Sequence, residues 1–170
     1  TDQFRYHFNE LEQTPEVLHF RETVYDPVEF LHDVLKVKEL PGKPRFPYRV
    51  AIHNGCHSLR YLKEARPSEL MIKPFDKSAA LLSLVEGIET GYATRRDECC
   101  GFGGVFSIWD APCSGQQGRD KVNDYARNGF KYVTSQDMSC LIHQQTIARK
   151  IGLELKMFYI TEILNGDAKP

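Results

Sequence analysis

Nowhere in this 170-residue chain is there an apolar run near the roughly 20 residues that cross a bilayer, so the sequence contains no membrane span. Charge of either sign is not in excess. Against 23 Asp and Glu stand 22 Lys and Arg, for a formal net charge of −1 and a pI of about 6.6. Electrostatic grip on nucleic acid or on an anionic membrane surface needs a basic face, and no Lys/Arg run provides one. The opening stretch TDQFRYHFNELEQ is polar and amphipathic and has no signal-peptide core. Cysteine is scarce, five in all, and odd in number. With 41% hydrophobic residues the chain can bury a core without cross-links. The thiols therefore point to thiol or metal chemistry in a reducing cytoplasm rather than to a disulfide framework. No G-x-G-x-x-G follows a strand, and P-loop, H-E-x-x-H and G-x-S-x-G motifs are missing. Carboxylates show no paired acid/base arrangement, so any catalysis belongs to a metal or to a partner. Internal repeats and low-complexity tracts are absent too.

What is present is an alternation of strand and helix signals. YRVAI (48–52), IETGYA (88–93), KYVTS (131–135) and LELKMFYI (153–160) read as strands. DKSAALLSLVEGI opens at a cap, Asp76, and reads as a helix ending at Gly87. GRDKVNDYARNG reads as a helix closed by Gly129, DMSCLIHQQTIARKIG as one capped by Asp137 and ended by Gly152, and TEILNG as a last helical turn. Such β–α alternation predicts an α/β fold: a mostly parallel sheet flanked by helices. Ahead of it, Phe4–Leu11 reads as a helix with Phe4, Phe8 and Leu11 on one side. Asp26, Pro27 and Glu29 form the start signal of a second. PGKPRFP (41–47) breaks the chain with three prolines and a glycine and reads as a linker. Two helices cannot enclose a core, so residues 1–40 read as the tail of a preceding module, with the main domain at 48–170.

In parallel sheets, sites gather where strands run out into loops. Cys56 follows the first strand, Cys99 and Cys100 follow the second, and Cys140 follows the third. Neighbouring cysteines bridge each other only with strain, so Cys99 and Cys100 are expected to face a shared site with Cys56 and Cys140. Gly101, Gly103 and Gly104 allow the backbone to take positive φ and approach a bulky inorganic centre. Free N–H groups there are placed to donate to sulfur. Cys140 lies in the first turn after the cap Asp137, where a helix favours thiolate. His143, three residues on, shares that face, and C-x-x-H at a helix start is sensible ligand geometry. His53 and His57 bracket Cys56 as ligands or hydrogen-bonding supports. The plainer readings are a small core residue in a loop for Cys113, surface or packing roles for His7, His19 and His32, and a solvated charged turn for Arg95–Glu98. Lacking C-x-x-C, the chain ranks low as a thiol-disulfide enzyme.

Taken in order, HNGCHSLR, DECCGFGGVFS, DKVNDYARNGF and DMSCLIH closely resemble the cysteine-rich CCG domain. That module occurs in heterodisulfide reductases and in the iron–sulfur subunits of glycolate oxidases, and the likeness is greatest to its lactate utilization protein A branch. It covers roughly residues 48–166, and the first 35 residues resemble the end of a preceding CCG module, as in a C-terminal fragment. The resemblance implies a cysteine-ligated iron–sulfur cluster, of the noncubane 4Fe–4S kind in some members, with Cys56, Cys99, Cys100 and Cys140 as ligands. Where the wider family often has C-x-x-C, this chain has Cys140 and His143, which leaves a four-thiolate site or one in which His143 substitutes. The implied role is electron transfer in the oxidation of L-lactate or a similar 2-hydroxy acid, alongside iron–sulfur, flavin or NAD-linked partner subunits. A structural zinc module is the alternative.

Overall fold

The computed structural model covers residues 1–170. Its centre is a sheet of four parallel strands, β1 (Arg49–Ile52), β2 (Glu89–Gly91), β3 (Tyr132–Ser135) and β4 (Lys156–Tyr159), in the order β2-β1-β3-β4. The helices are α1 (Pro15–Thr23), α2 (Pro27–Glu29) with a wider helical continuation Phe30–Val34, α3 (Cys56–Arg60), α4 (Lys77–Leu82), α5 (Phe106–Trp109), α6 (Ala111–Arg127), α7 (Met138–Lys150) and α8 (Ile160–Asn165). All four expected strands form, and the fold is α/β.

Side chains alternate across a strand, and in β1 this sends Val50 and Ile52 to one face and Ala51 to the other. The first face packs with Leu81 and Leu82 of α4, Ile160, Ile163 and Leu164 of α8, and Val28 of α2. The second packs Val133 with Val122 and Tyr125 of α6 and Ile147 and Ala148 of α7. A parallel sheet needs both faces covered, and the helices do this in two layers. From β1 the chain runs through α3 to α4 on one face, and from β3 it enters α7 on the other. The C-terminal ends of these neighbouring strands therefore diverge, opening the crevice in which doubly wound sheets place ligands.

Several helix boundaries differ from expectation for local reasons. Asp76 caps α4 as expected, accepting from the Ala79 N–H at 3.0 Å. The helix stops at Leu82 rather than Gly87 because the chain peels away to pair with the proline-rich stretch. There the Phe46 N–H donates to the Glu86 carbonyl and the Glu86 N–H to the Pro44 carbonyl. Phe46 itself is buried in the core. α6 begins well ahead of Gly118, at Ala111, because Asp110 caps it by accepting from the Cys113 N–H at 3.2 Å and Pro112 suits a first turn. Cys113 is accordingly an exposed residue at a helix start, correcting its reading as a core residue in a loop.

In the front segment, helical turns span 3–10 and Phe4 packs edge-on against Phe8 and Phe20. α1 is not among the expected helices, although Thr14 (its cap) and Pro15 are an ordinary start signal. Asp26 caps α2 through the Val28 N–H at 2.9 Å, while Glu29 turns to Arg5 at 2.8 Å. His7 and His19 are exposed and His32 pairs with Asp33 at 2.6 Å.

Candidate metal centre

Three strand-end segments build the site. After β1 the ladder extends one rung, the His53 N–H donating to the Thr134 carbonyl at 2.8 Å. Asn54 then reaches back to Asp76 at 2.6 Å, which pins the turn that starts α3 at Cys56. After β3, Asp137 caps α7 by accepting from the Cys140 N–H at 3.1 Å, so Cys140 lies in the first turn as expected. The two loops touch: a Cβ added to Gly55 would lie 3.3 Å from the Asp137 carboxylate.

The third segment follows β2. The Arg95 N–H donates to Asp124 at 2.8 Å, and the buried Lys121 ammonium donates to the Arg95 carbonyl at 2.5 Å and the Arg96 carbonyl at 3.3 Å. Asp97 accepts from the Ser68 N–H, and Arg96 lies 4.5 Å from the Tyr92 ring centroid. The Arg95–Glu98 turn is therefore an anchored support rather than a solvated turn, with only Arg95 largely exposed. Gly101 has φ +87°, and a Cβ there would stand 2.5 Å from the Ser114 carbonyl oxygen. Only glycine lets the double cysteine descend this close to α6. Gly103 and Gly104 also hold positive φ. The Gly101 N–H donates to Cys99 Sγ at 3.4 Å and the Phe102 N–H to Cys100 Sγ at 3.5 Å.

Cys56, Cys99, Cys100 and Cys140 line one cleft of about 330 Å³ with Asp137 and Phe102. The thiols form a relay of contacts, Cys56 to Cys99, Cys99 to Cys100 and Cys100 to Cys140. Hydrogen bonds from Cys100 and Cys56 hold Cys99 far below the ordinary thiol range. Cys56, which donates to Cys99, is pushed up, with burial adding to the effect. Cys100 is pushed up by its contacts with Cys140 and Cys99. Without a cation, one negative charge suppresses the next, as coupled sites require. A metal ion would lift that restraint.

His53 is wholly buried, and neither ring nitrogen has a hydrogen-bond partner. A ring nitrogen of His53 and the sulfurs of Cys100 and Cys140 all lie within 4.8 Å of one another. Burial, and then repulsion from Lys121, lower its pKa to about 3, so the ring is neutral with a free lone pair. His57 sits at the cleft rim, about half exposed, 3.8 Å from Asp2. Neither His53 nor His143 is among the cleft-lining residues, and the buried Nε2 of His143 also has no partner. His143 packs against Phe102, ring centroids 5.8 Å apart, and against Gly118 on α6. The orphaned buried imidazole and the gathered thiols are the donor set that soft and borderline metals select. Sequence reasoning misses Lys121, because nothing in GRDKVNDYARNG distinguishes a lysine that props up a distant loop from a solvated one.

A parallel α/β domain with a double cysteine on a glycine-rich loop, joined at the strand ends by two further thiols, defines a class of cysteine-rich domains. The CCG cysteine-rich domain family matches residues 50–144, and the chain belongs to it. It is also similar to Lactate utilization protein A of Halalkalibacterium halodurans, with 33% identity over 141 residues, which is 83% of this chain and 53% of that protein. Lactate utilization protein A of Bacillus thuringiensis is 31% identical over 142 residues, 84% of this chain and 54% of that protein. The chain spans about half the length of the curated relatives it matches. No helix is long and apolar enough to cross a membrane.

Proposed function

We propose that the chain is the cluster-holding part of a cytoplasmic iron–sulfur protein that carries electrons in the oxidation of L-lactate, or a closely similar 2-hydroxy acid, to the 2-keto acid. The observation that carries this reading is the convergence of Cys56, Cys99, Cys100 and Cys140 on one cleft from three separate strand ends. The similarity to Lactate utilization protein A supports the choice of substrate.

These four cysteines would hold the cluster, and when bound it would supply a reversible one-electron couple. The chain's own groups set the conditions. The Gly101 and Phe102 N–H groups donate to sulfur, which favours the reduced, more negative state and raises the potential. The Lys121 ammonium beneath the loop acts in the same direction. Phe102 screens one side of the cleft from water. Oxidation of the hydroxy acid releases two protons to solvent and two electrons, which a one-electron cluster would pass on singly to an iron–sulfur or flavin centre of a partner. An NAD-linked partner would collect them in pairs at such a centre before hydride transfer.

Anaerobic reconstitution with ferrous iron and sulfide tests the proposal. A brown protein with broad visible absorption and matched iron and sulfide is expected, and Cys99→Ser should abolish both. A colourless protein without iron overturns it. One zinc per chain without sulfide would instead identify a structural zinc module.

A further inference from the structure

We propose that His53 is the nitrogen ligand of this centre, binding metal together with the sulfurs of Cys100 and Cys140 as a buried inner triad, with one thiolate of the Cys56–Cys99 pair completing four-coordination from the solvent side. The inference rests on the reading of the cleft as a metal centre and names a donor that the cysteine pattern omits.

Three observations carry it. First, His53 is 0% exposed with both ring nitrogens unpartnered. A buried polar group without a partner forfeits its hydration with nothing in return, so an uncharged ring in this position needs something to bind. Second, what lies within reach is sulfur. One ring nitrogen and the Cys100 and Cys140 sulfurs fall within 4.8 Å of one another, and all three residues are buried. Metal–sulfur and metal–nitrogen bonds of roughly 2.3 and 2.0 Å space tetrahedral donors about 3.5 Å apart, so closing on an ion takes a contraction of about 1 Å. Third, the backbone that carries the ring is held in place. The His53 N–H is tied to Thr134 on β3, and the next residue is tied to Asp76, the cap of α4. His53 is therefore held by the sheet, as a precise ligand should be. The other histidines nearby are less well placed. His57 is about half exposed at the rim. His143 also has a buried Nε2 without a partner, but its ring is hydrogen-bonded to the Ser114 backbone and packs against Phe102 and α6. It does not join the close group that His53 forms with Cys100 and Cys140.

The test is X-ray absorption on the full chain loaded anaerobically with one equivalent of zinc. Because replacing a buried histidine can disturb folding, the decisive protein is the double variant His57→Gln/His143→Gln, in which His53 is intact. Expected is a mixed sulfur and nitrogen shell with imidazole scattering, unchanged between wild type and the double variant. His53→Gln, checked for folding by circular dichroism, should lose the nitrogen shell. It should also weaken zinc binding by more than the roughly 10–100-fold typical of losing an outer hydrogen-bonding partner. A sulfur-only shell in the wild type, loss of imidazole scattering in the double variant, or failure to bind zinc overturns the inference. Iron–sulfur loading with sulfur-only coordination would sink His53 but leave the electron-carrier reading standing. Zinc held through His53 in a chain that takes up no iron and sulfide would do the reverse.

Discussion

Glu64 is a carboxyl with 1% exposure, hydrogen-bonded to Gln136 and facing the carboxyl of Asp26. Burial first, and then the Asp26 charge, raise its pKa to about 9 from an ordinary 4.5. The folded chain thus keeps a proton that the unfolded chain releases. Linkage then makes this contribution complete below about pH 4.5, declining as pH rises towards 9, at up to about 1.4 kcal/mol per pH unit. Urea unfolding across pH 5–9 should show this fall, and Glu64→Gln should flatten it and stabilise the protein at pH 8. At this scale the sequence is readable where chemistry is local: the thiols, the cap Asp137 before Cys140, and the glycines after Cys100. Glu64, Lys121 and the burial of His53 are not, because their roles come from residues far away in the chain.

Helices show a similar division. Asp76 and Asp137 announce the starts of α4 and α7, since capping is a matter of neighbours three residues apart. The end of α4 and the start of α6 lie elsewhere than the local pattern suggests. The first is decided by pairing with Phe46, and the second lies ahead of two glycines that look like breakers. Gly118 is in fact where α6 meets α7. A Cβ there would fall 2.1 Å from Ile147 Cδ1 and 3.3 Å from the Cys100 carbonyl. Gly118→Ala gains about 1 kcal/mol in helix propensity, but overpacking costs about 1–3 kcal/mol. The expected result in urea melts is a net loss of stability. The Cys100 loop should be displaced with it, seen as slower or incomplete metal loading.

On the scale of the whole molecule, the α/β architecture and its four parallel strands are legible because each strand carries its own apolar pattern. Strand order is not, since it depends on which way each crossover turns. That order puts the ends of β1 and β3 side by side, with helices leaving to opposite faces. Two core clusters, of 11 and 9 buried residues, hold these strands without any help from the cleft. Chelation should therefore leave a cooperative thermal transition and native far-UV circular dichroism, with enhanced thiol reactivity confined to the rim.

The donors come from positions 53–56, 99–100 and 140, so no short peptide cut from this chain holds a complete set. The socket exists only after β1 and β3 have paired and the double-cysteine loop has settled on α6. On the proposed reading an inorganic occupant is thus a late arrival, delivered to a finished receptacle, and the polypeptide can await it in a mature shape.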